Sequence, residues 1–489
     1  MTQTIPEAPF ILTLDIGSSS TRAMLFDRLA QPITGALVQI PTSMQTTADG
    51  AAEFDPVALF DSVVAAIDQL LEQIGSLASQ IGGVGIDTFV TNIMGVDASG
   101  RPITPLYTYA DRRSASDAEA LREEFDLSEV HDRTGCRIHS AYLPARFRWL
   151  ARTEPDLLKS VAHWLSIGEY LFLELFGERA VSYSVASWTG LLNRHTLTWD
   201  ETWLSQLPID AAQLSPLVDI DQPQQGLKTA WAARWPQLKD IPWFPAVGDG
   251  AAANVGSGCT EPDRLALTIG TTGAMRVLVE KELDAVPDGL WFYRLNRRYG
   301  LLGGATTEGG NVFAWLNTIL KLPKNSEAEL AQMPPGSHGL TVLPFLAGER
   351  APGWHDDARA TFSGLTLNIR PIDILRAGLE AVALRFAIIH HQMLPSLPSE
   401  HQIIASGSGL LNSPAWMQIM ADVLNRPVTA SAEPEATSRG MALAVLDALN
   451  VSEVPPPALG KTFRPRTAYH AQYKIALENQ LYLYDRIIN

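Results

Sequence analysis

The chain has 489 residues, 46% of them apolar and only 18% charged. Such a composition buries a sizeable core and excludes disordered, fibrous and tail-like behaviour. The formal net charge of −16 argues against a broad nucleic-acid or anionic-membrane surface, yet leaves room for a small basic pocket that holds an anion.

At about 150 residues per domain the length gives about three units, and large α/β domains make two as good an expectation. Cys136 and Cys259 are too few for a disulfide framework or a four-thiolate metal site. They read as two reduced, semi-buried thiols of a cytoplasmic protein. Residues 1–9 carry no basic region and no long apolar stretch, so no signal peptide is expected. No segment reaches ~18 uninterrupted apolar residues, so no membrane span is expected either.

The first half opens with a strand over 10–14, a tight polar turn over 15–21 (DIGSSST) and a second strand over 22–26. Asp55 with Pro56 starts a helix over 57–72, with Val57, Phe60, Val64, Ile67 and Leu71 on one face. Gly82 and Gly83 break the pattern before a strand over 84–86, which ends in Asp87. The second half repeats the arrangement: strand 264–268, polar turn 269–273 (IGTTG), strand 274–279. Setting Gly17 on Gly270, an offset of 253, lays IGSSS on IGTTG and Asp15 on Thr268. Ile372, Leu375, Leu379, Val382 and Phe386 mark a helix that feeds a strand over 402–405 and the turn SGSG. Ser413 and Pro414 start a further helix to about Leu424, with Trp416, Ile419, Met420 and Val423 clustered on one face.

A hairpin with a Gly/Ser/Thr tip, then a helix, then a strand, met twice, suggests duplicated α/β domains. The expected division is 10–245 and 246–450, with a break at IPWFP, and an extension over 451–489 that packs on the core.

Small residues in a turn let backbone N–H groups approach phosphate oxygens, and Ser and Thr hydroxyls add donors without bulk. Two such turns facing each other would hold a polyphosphate. Asp15, at the end of the first strand, suits a hydrated Mg²⁺, which prefers one or two carboxylates plus waters. Neither turn fits GxxxxGK[ST], and no Gly-x-Gly-x-x-Gly follows the first strand. Asp249, in VGDGAAANVGSG, has glycines on both sides. It reads either as the base that takes the proton of an attacking hydroxyl or as a helix cap. His390 and His391 are adjacent at a helix end, where the dipole explains them as well as a ligand role does.

These segments together resemble the FGGY carbohydrate kinases, most closely the gluconate/xylulose kinase branch. DIGSSSTR is similar to the family's first phosphate loop, TIGTTGA to the second, and VGDGAAANVG to the segment with the catalytic aspartate, here Asp249. GGATTEGGNVFAWL, LPFLAGERAPGWHDDARATFSGL, ASGSGLLNSPAWMQIMADVLNRPV and EATSRGMALA continue the resemblance in order.

The resemblance implies a pair of actin-like, ribonuclease-H-like α/β domains with the active site in the cleft between them. Sugar is then expected mainly on the first domain and ATP with Mg²⁺ mainly on the second. On the nucleotide side it implies Ser18, Ser19, Ser20, Arg22, Thr271, Thr272, Glu308, Gly309, Gly407, Ser408 and Asn412, with Asp15 for the metal. On the substrate side it implies Thr91, Asn92, Asp111, Arg113, His139 and Tyr142 beside Asp249. The branch's Trp-His-Ser triplet is replaced by Val90, Thr91 and Asn92, of which Thr91 and Asn92 still bond sugar hydroxyls. Arg137 and Arg146 are candidates for pairing with a sugar carboxylate, while Arg146 and Arg148 also read as the wet edge of an amphipathic helix.

The implied reaction is ATP-dependent phosphorylation of a terminal hydroxyl. Gluconate is the first choice of acceptor, xylulose the second and a pentitol or other polyol the third. A nucleotide-gated actin-like scaffold or chaperone is the alternative of another class. It needs the two phosphate turns but neither the substrate-side segments nor Asp249. The expected partner is a small sugar or sugar acid, with a homodimer as the common default.

Overall fold

The computed structural model describes residues 6–280, 283–451 and 454–488. Two large sheets organise it. The first has the order Val247–Gly248, Ile81–Thr88, Phe10–Ile16, Ser20–Phe26, Pro32–Pro41. Its centre is the expected hairpin, antiparallel with Asp15 opposite Arg22, and the parallel partner that sets Asp15 beside Asp87. The second has the order Trp291–Arg294, Gly300–Thr306, Gly273–Val279, Arg264–Ile269, Gln402–Ser406, Val428–Ser431, Leu459–Phe463. At its centre, too, a tight antiparallel hairpin lies beside a parallel strand.

Both hairpin strands run further than local patterning indicates. The first turn shrinks to residues 17–19 and the second to 270–272, because strand pairing continues through Ile16 with Thr21 and through Ile269 with Gly273. The helix Pro56–Ile74 is capped by Asp55, which accepts from the nitrogens of Val57 at 2.9 Å and Ala58 at 3.1 Å. Phe60, Val64, Ile67 and Leu71 are buried, but Val57 is 47% exposed. At about 100° per residue Val57 lies about a third of a turn from the centre of the buried face, which is set by Val63, Ile67 and Leu70. The helix Pro371–Met393 buries Ile372, Leu375, Leu379, Val382 and Phe386 as expected, and Pro414–Leu424 is capped by Ser413, which accepts from Trp416 N at 3.1 Å.

Gly82 and Gly83 do not break the chain before a strand; they lie inside Ile81–Thr88. A Cβ on Gly83 would stand 2.8 Å from Val445, and one on Gly85 2.9 Å from the same side chain. Glycine in a strand here marks the close approach of another element. That element is the helix Ala436–Ala448, from late in the chain, which packs on the first sheet through Ala442, Val445 and Leu446 against Ile11, Met24 and Phe244.

The first sheet also takes its edge strand, Val247–Gly248, from beyond the IPWFP segment. Residues after 450 supply the edge strand Leu459–Phe463 of the second sheet and the helix His470–Ile487, whose Gln480 donates to Val342 O at 2.9 Å. Both cysteines are free and fully buried, more deeply than the semi-buried thiols expected. No helix among the described residues is long and apolar enough to cross a membrane.

Candidate active site

The two turns and the aspartate of VGDGAAANVG meet at one cavity of about 250 Å³, lined on one side by Ser18 and Thr91 and on the other by Thr268, Gly270 and Thr272. Asp249 sits on its wall as the first residue of the helix Asp249–Gly256, directly after the short strand Val247–Gly248. It is not a cap. Gly248 holds the capping position, and the Asp249 carboxylate only accepts from Gly250 N at 2.6 Å. Burial raises its affinity for a proton, while Arg276 and Arg350 pull the other way. A carboxylate tuned upward inside a cleft is suited to accept a proton from an alcohol.

Asp15 is held up to about 6 by burial, against the pull of Arg22, whose Nη1 lies 3.8 Å from it. Asp87, its neighbour in the parallel register, is fully buried with both carboxylate oxygens unpartnered, and burial raises it well above the ordinary range. Orphaned acidic oxygens behind Asp15 fit a site for a hydrated divalent cation. Among the described residues no group of three or more His, Cys, Asp or Glu side chains could hold a metal ion.

The expected nucleotide-side residues fall into two sets. Ser18 and Thr272 line the cavity, and Ser19, Thr271 and Thr272 are exposed at the turns. Ser408 and Asn412 are exposed beside the strand Gln402–Ser406. Gly407 has φ 88°, and a Cβ there would run into Ile269, so the SGSG turn lies directly on the turn over 270–272. Gly309 packs on Thr272, where a Cβ would stand 2.6 Å from the carbonyl carbon. The others are engaged elsewhere. Ser20 is buried and accepts from Gln39 Nε2 at 2.9 Å, Arg22 pairs with Glu435 at 3.2 Å, and Glu308 is buried with its carboxyl raised to about 7.

On the substrate side, Thr91 and Tyr142 line the cavity. Thr91 is held at φ 55°, an uncommon conformation for a threonine. Asn92 does not line it. Its amide is used at both ends, accepting from Ile167 N at 2.8 Å and donating to Phe89 O. Asp111 and Arg113 form a buried network instead: Asp111 bonds Arg146 at 2.8 Å and Arg113 at 2.5 Å, and Arg113 also reaches Glu53 at 2.7 Å. Arg146 is therefore a fully buried ion-pair partner, not a wet helix edge, whereas Arg148 does pair near the surface, with Glu124. His139 stands 3.0 Å from Asp356, edge-on to Trp354. Arg137 pairs with the exposed Asp288 at 2.5 Å.

Sequence reasoning passed over several lining groups. Tyr293 stacks between Trp188 at 4.1 Å and Trp291 at 4.2 Å, and its hydroxyl bonds that of Tyr142. Trp188 Nε1 is a buried donor without a hydrogen-bond partner. Arg276 and Arg350 complete the wall. Arg276 was detectable as the one charge in the otherwise apolar strand AMRVLV. The aromatic cage was not, because its members come from segments about a hundred residues apart.

Comparison with known proteins agrees with this geometry. Residues 10–256 match the model of the N-terminal domain of the FGGY family of carbohydrate kinases, and residues 265–448 match that of its C-terminal domain. The chain is 28% identical to a gluconokinase of Bacillus subtilis over 88% of this chain and 86% of that one. It is 29% identical to a glycerol kinase of Acinetobacter baylyi over 94% of each. In structure it superposes on a xylulose kinase of Rhodospirillum rubrum with a TM-score of 0.86 at 26% identity, over 98% of each chain. With both family domains matched in order around one cleft, the chain belongs to the FGGY family of carbohydrate kinases.

Proposed function

We propose that this carbohydrate kinase transfers the γ-phosphoryl group of ATP to a terminal hydroxyl of an open-chain sugar acid, with gluconate as the first acceptor. Xylulose or another ketopentose stands second and a polyol third. The observation that carries the reading is Asp249, set on the wall of a cavity that both Gly/Ser/Thr turns reach. Kinship with gluconokinases supports the choice of acid, and the two sheets read as duplicated actin-like, ribonuclease-H-like cores around a cytoplasmic enzyme's cleft.

In this reading Asp249 orients the acceptor hydroxyl and takes its proton as the oxygen attacks phosphorus. Backbone N–H groups and hydroxyls of the turns at Ser18 and Thr272 hold the negative charge that spreads over the transferred group. Asp15, through water, would hold Mg²⁺, which neutralises phosphate charge when bound. The stacked Trp188, Trp291 and Tyr293 exclude water, a competing acceptor, from the cavity floor.

The test is ADP formation from ATP and Mg²⁺ with gluconate, xylulose, a pentitol and glycerol offered singly. A rate stimulated most by gluconate supports the assignment. Stimulation by xylulose alone shifts the substrate, and steady basal hydrolysis with every acceptor inert returns the chain to the scaffold class.

A further inference from the structure

The charged side chains lining the cavity are one carboxylate, Asp249, and two guanidinium groups, Arg276 and Arg350. Neither arginine is among the described ion pairs. Arg350 spends one donor on the Thr306 carbonyl, Nη2 to O at 3.1 Å, and its Nε is buried with no hydrogen-bond partner. Arg276 has both Nε and Nη1 buried and unpartnered. Its guanidinium lies over the start of the Asp249 helix, so that a Cβ on Gly250 would stand 3.1 Å from both Nε and Nη2. The Asp249 charge raises Asp15 and Asp87 from nearby, but neither of these lines the cavity.

Buried guanidinium donors in a native protein nearly always have partners, and three unpartnered ones around one cavity are suited to anionic oxygens. Two such oxygen clusters enter this cleft in the proposed reaction: the acceptor's own acid group and the transferred phosphoryl group. Depth separates them. Thr272 of the second turn lines the cavity and is exposed, as is Thr271 beside it, whereas the orphaned nitrogens of Arg276 are sealed from solvent. The aromatic stack of Trp188, Tyr293 and Trp291 continues the same wall and suits the carbon chain of an acceptor.

We infer that Arg276, supported by Arg350, is the specificity-determining clamp of the acceptor site and binds the carboxylate of a sugar acid. The inference rests on the kinase reading above and says why an acid is preferred to a neutral sugar. Arginine's planar fork matches a carboxylate in two-point geometry, and a cavity with one surplus positive charge gains little from a neutral polyol.

The test is calorimetric binding to the full chain without nucleotide, which separates acceptor from phosphoryl group. Gluconate is compared with glucitol, its neutral six-carbon counterpart. Wild type is expected to bind the acid at least about tenfold more tightly, and Arg276→Gln to bring that ratio close to one. Arg350→Gln is expected to reduce the ratio as well, and serves if Arg276→Gln fails to fold. Equal binding of acid and alditol by wild type overturns the clamp whatever the variants do. So does a ratio that survives Arg276→Gln while kcat falls with every acceptor, which hands the arginine to the phosphoryl group. The kinase reading stands or falls separately, on whether any acceptor stimulates ADP formation in wild type.

Discussion

Gly256 and Gly440 face each other where the helix that begins with Asp249 crosses the helix Ala436–Ala448. A Cβ on Gly256 would stand 2.7 Å from the Gly440 nitrogen, and one on Gly440 2.9 Å from the Gly256 nitrogen. The two backbones thus touch with no side chain between them, and Asp249 takes its position from a helix encoded nearly two hundred residues later. Gly440→Ala is expected to push the helices apart, with a loss of about 1–3 kcal/mol in a urea unfolding curve. Because the displaced helix carries Asp249, kcat should fall as well at temperatures where the variant is still folded. A variant as stable and as active as wild type would show that the contact is not tight.

Asp249→Asn keeps the shape of the side chain and removes its basicity. Turnover is expected to drop by about 10²- to 10⁴-fold, the range that a positioned general base contributes. ATP affinity, read by calorimetry, should stay within about twofold, since the proposed phosphate contacts come from the two Gly/Ser/Thr turns and not from Asp249. Near-normal turnover in this variant would remove Asp249 from the reaction.

Glu308 supplies a pH dependence. Burial lifts its carboxyl to about 7, opposed by a hydrogen bond from Thr307 and by Arg385, while Glu349 adds to the rise. A carboxyl whose folded-state value lies above its unfolded one contributes stability at low pH and loses it as pH climbs through the folded value. Stability should therefore decline between about pH 4.5 and 7 through this group. Glu308→Gln should flatten that part of the profile, so that the variant gains on wild type as pH rises towards 8. Denaturant midpoints of the two proteins at pH 5, 6, 7 and 8 decide it, and parallel profiles would contradict the assignment.

Arg146 and Asp111 are both sealed from solvent and 2.8 Å apart. Arg146→Leu removes one charge of a buried pair and strands the other, with Arg113 alone left to meet it. The expected loss is about 3–5 kcal/mol of stability. Arg146→Leu with Asp111→Leu should recover part of it, since a buried pair replaced as a unit is far less harmful than a broken one. If the double variant is no more stable than the single one, the energetics lie in packing against Trp149 and Tyr107 and not in charge.

The elements of the fold were largely legible locally. The caps Asp55 and Ser413, the apolar face of Pro371–Met393 and both Gly/Ser/Thr turns follow from patterns a few residues long, and they stand where those patterns place them. Val57 and the pair Gly82–Gly83 show the limit of such reading. Periodicity says that a face exists but not where its centre lies, and a glycine pair reads as a break until the helix that demands the bare backbone is known. Asn92 shows the same limit for the site, because its amide groups are claimed by Phe89 and Ile167 and not by the cavity.

Composition, charge and the repeated turns by themselves determined an acidic α/β protein with two Gly/Ser/Thr turns, and the ordered segments around them determined its family resemblance. These are short-range properties, fixed by the conformational freedom of small residues and by periods of two and 3.6 residues. The tertiary structure alone decided which charges face the cavity. Arg276 is a strand residue of the second sheet and Asp249 follows the last strand of the first, and their meeting depends on how two sheets and the Gly256–Gly440 crossing are packed. Burial then sets the chemistry. It leaves Arg276 donors unmet, raises Asp249 and locks Arg146 onto Asp111, and burial is a property of the packed chain that no local stretch of residues carries.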